Sequence, residues 1–252
     1  MNANRVIPSE DQKDNFELSI ICDWLKLFLK RNMFLHQLVM AWKAKQSPRL
    51  IVVKGKTKIC IEGYPRSANS YLVRMFKMAN NIPPVQICHH SHSIHIVKKA
   101  VKFRIPVLVV IRNPIDAITS LCIARKGIKG VSNQNITIHI FEYLDFYSWI
   151  SKNLDKVELC SFENVISNFN LVIAKLNDRF GTEFNGFFNE DRGKQQVFQE
   201  AKNDSPYKND YCRSPLPDSL RKRISDSIRL KVAKHPKIRL ALDLYYVLID
   251  EY

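Results

Sequence analysis

The chain has 252 residues, 46% of them hydrophobic and 25% charged, the balance of one folded domain with a sizeable core and not of long disorder. Its net charge of +15 calls for an anionic partner: nucleic acid, an acidic membrane, a polyanionic glycan or a phosphate-rich ligand. Six cysteines stand singly, with no CxxC pair, which argues against a disulfide frame or a zinc site and suits a reducing, cytoplasmic compartment.

Charges spread through the first fifteen residues argue against a secretory leader. The segment from Leu18 to Trp42 is apolar, but Asp23, Lys26, Lys30, Arg31 and His36 interrupt it too often for a membrane span. It reads as an amphipathic helix with a basic face. Residues 1–50 are therefore expected to form a helical segment packed on the domain, residues 51–252. Peripheral contact of residues 18–42 with an anionic membrane is the alternative.

After a break at Ser47-Pro48, Thr57 to Glu62 reads as a short buried strand ending in Gly63, and Asn69 to Asn80 as a helix. Val85 to His89 is a second strand and Ser93 to Phe103 a second helix. Pro106 to Ile111 is a continuous apolar run, best explained by a strand covered on both faces. Pro114 suits a first helical position and opens a helix to about Lys126. A loop to Asn135, a helix from Ile136 to Ile150, a strand from Lys156 to Phe162 and a helix from Val165 to Phe180 follow, the last stopped by Gly181. Beyond Gly186 the chain turns polar and less regular, with helices after Pro217 and Pro236. Strands and helices alternating at this spacing predict a three-layer α/β fold: a central parallel sheet flanked by helices, of P-loop nucleotide-binding type.

The segment Gly63-Tyr-Pro-Arg-Ser-Ala-Asn-Ser70 joins the first strand to its helix, where backbone N–H groups converge on an anion. It fits the P-loop frame GxxxxGK[ST] at Gly63 and Ser70, but Ala68 and Asn69 replace Gly-Lys, and the cation comes early as Arg66. Read alone, Arg66 is equally a solvated loop residue and Ser67 to Ser70 a helix cap. The strongest strand then runs into Arg112-Asn-Pro-Ile-Asp116, with Ser120 eight positions after Arg112, two helical turns on. Two loops of this kind on neighbouring strands point to one shared anion site.

Pro65-Arg-Ser-Ala-Asn-Ser-Tyr71 resembles the 5′-phosphosulfate loop of the sulfotransferase family, Pro-Lys/Arg-Ser-Gly-Thr-Thr-Trp. Ile111-Arg-Asn-Pro-Ile-Asp116 with Ser120 resembles its 3′-phosphate site, and Ser161-Phe-Glu-Asn-Val165 is similar to its Tyr-Glu-Asp-Leu run. The resemblance covers residues 57–185. It implies a sulfotransferase that uses 3′-phosphoadenosine-5′-phosphosulfate as donor and needs no metal. Arg66 would hold the sulfuryl and bridging oxygens, while Ser67, Ala68, Asn69 and Ser70 cradle the 5′-phosphate. Tyr71, in place of the family's tryptophan, would stack on adenine with Phe198. Arg112 and Ser120 would take the 3′-phosphate.

Four of the seven histidines crowd into His89-His-Ser-His-Ser-Ile-His95. No acidic residue stands near in sequence and Cys88 ends a run that reads as a buried strand, so metal is not the expected use. The family's catalytic histidine precedes its arginine by the gap that separates His90 from Arg112. His90 is therefore the expected base, at a pKa near neutrality, with His92 as substitute. Three features depart from the family. Cys88 replaces a lysine, Ala68 a glycine, and the C-terminal Arg-Lys-Gly run is missing, leaving Lys208, Arg213 or Arg221 to complete the 3′-phosphate site. A carbohydrate or small-metabolite hydroxyl, on an anionic glycan if the basic surface is a guide, is the expected acceptor. The rival P-loop kinase reading needs the missing lysine and an acidic residue where Arg112 stands. A nucleic-acid partner is not expected, since no recognition motif accompanies the charge.

Overall fold

The computed structural model describes residues 10–127, 130–204 and 219–250. Four strands, β1 (Ile59–Gly63), β2 (Ile87–His89), β3 (Val107–Ile111) and β4 (Glu158–Ser161), form a parallel sheet of order β2-β1-β3-β4. Helices cover both faces, so the strands alternate between two cores and not between core and water. Cys60, Val107, Val109, Ile111 and Leu159 face one core, with α4 (Ile94–Lys102), α5 (Pro114–Lys126), α6 (Asn133–Ile150) and α11 (Ile238–Asp250). Ile59, Ile61, Ile87, Leu108 and Val110 face the other, with α3 (Asn69–Asn80), α8 (Phe169–Phe180) and Val197 of α9 (Glu190–Asp204). Each fully buried Val or Ile contributes about 1.5–3 kcal/mol relative to exposure, so the sheet centre fixes the register firmly. The layers are helix, sheet, helix.

The expected helix over Leu18–Trp42 is two: α1 (Glu10–Arg31) and α2 (Met33–Gln46). Asn32 divides them because its side chain accepts the Leu35 N–H at 3.1 Å, capping the second helix. The same device divides the expected Val165–Phe180 helix into α7 (Phe162–Ser167) and α8, where Asn168 accepts from Leu171 N–H at 3.2 Å. α9 fills part of the region that reads as irregular, and α10 (Ser219–Ala233) precedes α11.

α1 is tied to the sheet's helices by ion pairs. Lys30 Nζ lies 2.7 Å from Glu142 Oε1, and Arg31 forks onto Asp145 with Nε 2.6 Å from Oδ2. Burial opposes charge on Glu142, but a hydrogen bond with His139 and the charges of Lys30 and Arg125 hold it well below the usual carboxylate range.

Strand order positions the site. From β1 the chain leaves through α3 toward β2, and from β3 it moves on toward β4, on the opposite side. The loops leaving β1 and β3 thus diverge above adjacent strand ends, the crevice where α/β sheets place ligands.

Candidate functional site

Gly63 ends β1 because nothing larger fits. A Cβ there would lie 2.5 Å from the Val110 carbonyl oxygen and 2.8 Å from Asn69 Oδ1. The chain then turns through Tyr64, whose buried ring donates from Oη to the His139 carbonyl at 3.0 Å. Tyr147 of α6 donates to the Val110 carbonyl at 2.6 Å and accepts from Tyr64 N–H at 3.2 Å. Tyr143 donates to the Arg112 carbonyl at 2.9 Å. Two tyrosines one helical turn apart therefore brace the ends of β1 and β3 together.

Arg66, Arg112 and Ser120 meet, though 54 positions of chain separate the first from the last. Arg112 Nη1 donates to the Arg66 carbonyl at 2.9 Å, and Arg66 Nε donates to Ser120 Oγ at 2.9 Å. Phe162, from the third run singled out in the sequence, lies under the Arg112 guanidinium at 4.1 Å from ring centroid to Cζ. Such stacking holds the guanidinium flat at the loop junction.

The start of α3 fits a phosphate. Its N-cap is Ala68, which has no side chain to cap with. The N–H groups of Asn69, Ser70 and Tyr71 have no intrahelical acceptor, and no other acceptor meets them among the described residues. Asn69 faces inward, its Nδ2 donating to the Tyr64 carbonyl at 2.9 Å, so it braces the loop and offers the ligand its backbone. Ser67 is fully buried.

Arg66 (φ 70°) and Ala68 (φ 69°) are left-handed, as are His90 (φ 62°) and His92 (φ 49°) across the crevice, four of six such non-glycine residues described. Strain of this kind clusters where function fixes the backbone. Ala68 stands where the resembling family carries glycine, and the conformation explains the glycine. Ala68→Gly is expected to raise stability by about 1 kcal/mol, read from denaturant unfolding, because the left-handed cost of a Cβ disappears. An unchanged midpoint would show that this loop is not strained.

The histidines hang from one buried acid. Glu62, fully buried at the end of β1, accepts from Ser91 N–H at 2.8 Å, Ser91 Oγ at 2.6 Å and His92 N–H at 2.9 Å. Burial pushes its pKa up to about 7 against these donors. His92 donates from Nδ1 to the Gly63 carbonyl at 2.8 Å, which leaves its Nε2 as the unprotonated nitrogen. His90 Nε2 lies 2.7 Å from Ser70 Oγ, and its Nδ1 pairs with His89. Burial, with neighbouring positive charges, pushes His90 down to about 3 and His92 to about 4, well below the near-neutral value expected from sequence. Both rings are neutral at pH 7.

The two histidines face different hollows. His90 lines a cleft of about 600 Å³ with Ser70, Arg49, Arg74, Lys77 and Glu200. His92 lines one of about 220 Å³ between α1, α4 and α6. Tyr71 and Phe198 come together, ring centroids 5.4 Å apart and planes tilted 39°. They leave no slot between them, so a base would stack on their outer flank. Lys208 and Arg213 lie outside the described residues, as does the side chain of Arg221. Among the described residues, no group of three or more His, Cys, Asp or Glu is placed to hold a metal.

The parts that sequence reasoning missed are Glu62 and the tyrosine brace. An acid inside an otherwise apolar strand was the available signal for the first. The chain matches no family model and no curated protein sequence.

Proposed function

We propose that the chain is a sulfotransferase that moves a sulfuryl group from 3′-phosphoadenosine-5′-phosphosulfate to an acceptor hydroxyl. One observation carries the reading: at the strand switch point Arg66, in the loop just before the uncapped start of α3, meets Arg112 of the next loop and Ser120 of α5. The donor has two phosphates on one ribose, and two converging loops with separate cations suit it better than a single P-loop suits ATP.

In this reading the 5′-phosphate caps α3 on the N–H groups of Asn69, Ser70 and Tyr71. Arg66 meets the sulfuryl oxygens, and Arg112 with Ser120 the 3′-phosphate. The Arg66–Ser120 contact must part, or share one anion, when the donor binds. Tyr71 and Phe198 offer adenine their outer flank. The acceptor oxygen attacks sulfur as the sulfur–oxygen bond to the 5′-phosphate breaks. The acceptor proton passes to His90 Nε2, and adenosine 3′,5′-bisphosphate leaves with the electron pair. In the structure Ser70 Oγ occupies Nε2; its turn toward the 5′-phosphate frees the base. The donor's negative charge also lifts the His90 pKa toward the working range.

The acceptor enters the larger cleft. Arg49, Arg74 and Lys77 line it against a single carboxylate, Glu200, which supports an acceptor carrying its own anionic groups, such as an acidic glycan. Fixed cations here fill the place that Mg²⁺ takes in kinases.

Thermal stability is the first test. Adenosine 3′,5′-bisphosphate is expected to raise the melting temperature in the presence of EDTA, and ATP or oligonucleotides to raise it much less. A Mg²⁺-dependent shift with ATP alone would replace the reading with a kinase.

A further inference from the structure

α1 and α2 are docked by their inner faces. Leu27, His36 and Met40 are buried, with His36 packed on His95 at 5.1 Å between ring centroids. Their outer faces are apolar too. Trp24, Leu25 and Phe28 on α1, and Phe34, Leu38 and Trp42 on α2, recur at helical spacing and are between 40% and 67% exposed. Leaving six such side chains in water on two adjoining helices has a cost that an occupant would remove.

Charge identifies the occupant. α1 is nearly balanced, with four Lys or Arg against five Asp or Glu, but residues 32–58, α2 and the segment after it, contain six Lys or Arg and no acidic residue. Lys30 and Arg31 are matched by Glu142 and Asp145, and Lys26 by Asp23. Lys43, Lys45, Arg49, Lys54, Lys56 and Lys58 have no ion pair among the described residues. A second copy of the chain would bring the same positive surplus against itself. An anionic lipid surface offers opposite charge at the headgroups and an apolar layer beneath, a depth at which Trp and Phe are favoured. No helix of the described residues is long and apolar enough to cross a membrane, so the mode is lying on the surface.

We infer that the outer faces of α1 and α2 form a docking surface for anionic membrane lipid, with the aromatic and leucine side chains inserted and the basic residues on the headgroups. This independent inference does not rest on the transferase reading.

Vesicle co-sedimentation tests it, using the full chain with phosphatidylcholine vesicles that contain or lack phosphatidylserine. Binding is expected with phosphatidylserine only, and should weaken as salt is raised. The variant Lys43→Gln/Lys45→Gln should bind roughly 25-fold more weakly, since each basic residue near the surface is worth about a factor of five or so. Phe34→Ser/Leu38→Ser/Trp42→Ser removes the inserted groups without touching charge and should lose binding as well. Both variants sit on exposed positions, and circular dichroism melts equal to wild type confirm that the fold is kept. Sedimentation velocity without lipid supplies the counter-outcome. If the chain is a dimer that the serine variant converts to monomer, and vesicles capture neither, the face is a self-association surface and the inference is wrong. Equal binding to vesicles lacking phosphatidylserine, or none to either, also overturns it.

Discussion

Replacing His90 by alanine is expected to slow sulfuryl transfer by about 10²- to 10⁴-fold, the usual worth of a general base, while donor affinity stays nearly intact. The imidazole lies beside the donor loop, its Nε2 2.7 Å from Ser70 Oγ, and none of the proposed phosphate contacts pass through it. The neighbouring histidine gives the control. The His92 ring donates to the Gly63 carbonyl at the end of β1, so it braces the strand end, whereas the His90 ring pairs with Ser70 and His89. His92→Ala should therefore lower stability, with a smaller loss of turnover per folded molecule. If His92→Ala abolishes turnover and His90→Ala does not, the base is His92, whose Nε2 the Gly63 contact leaves unprotonated. If both variants turn over normally, the histidine loop takes no part in the chemistry. Measuring turnover and adenosine 3′,5′-bisphosphate affinity on each variant separates these outcomes.

The depressed histidine pKa values add a pH signature. Burial holds His90 near 3 and His92 near 4, so the proton-accepting forms persist through the acidic range in the donor-free protein. In the proposed donor complex, phosphate charge is expected to raise the value for His90. The acid limb of kcat is therefore expected at higher pH than that of kcat/KM, because the first reports the complex and the second the free enzyme.

Much of the site was legible in the sequence because its signals are local. The continuous run Val107–Ile111 has the pattern of a strand buried on both faces, and Pro114 opens α5 where expected. α3 begins and ends at the expected Asn69 and Asn80 because strand, turn and helix signals fall in a row there. The meeting of Arg66 with Arg112 and Ser120 rests on β1 and β3 lying side by side, as the two similar loops suggested. What the sequence hid depends on tertiary partners. Asn32 and Asn168 look like ordinary helical residues until their side chains turn to cap the next helix. The sequence shows α6 only as a helix, and only the sheet makes its Tyr147 a brace between β1 and β3. The histidine pKa values were misjudged because the fold buries a loop that the sequence presents as polar.

Arg112 is the group on which the account turns. A charge-assisted hydrogen bond to phosphate is worth roughly 1.5–3 kcal/mol, and about 1.4 kcal/mol is tenfold in affinity. The guanidinium stacks on Phe162 and donates to the Arg66 carbonyl, so it is held at the loop junction before any ligand arrives. Its loss should be felt by the 3′-phosphate far more than by the rest of the nucleotide. The decisive measurement is calorimetry of wild type and Arg112→Ala with adenosine 3′,5′-bisphosphate and with adenosine 5′-phosphate. The substitution is expected to weaken the bisphosphate by about 10- to 150-fold and to leave the weaker binding of the monophosphate nearly unchanged. Equal losses for both ligands would mean that Arg112 only holds the two loops together, and would contradict its assignment as the reader of a 3′-phosphate.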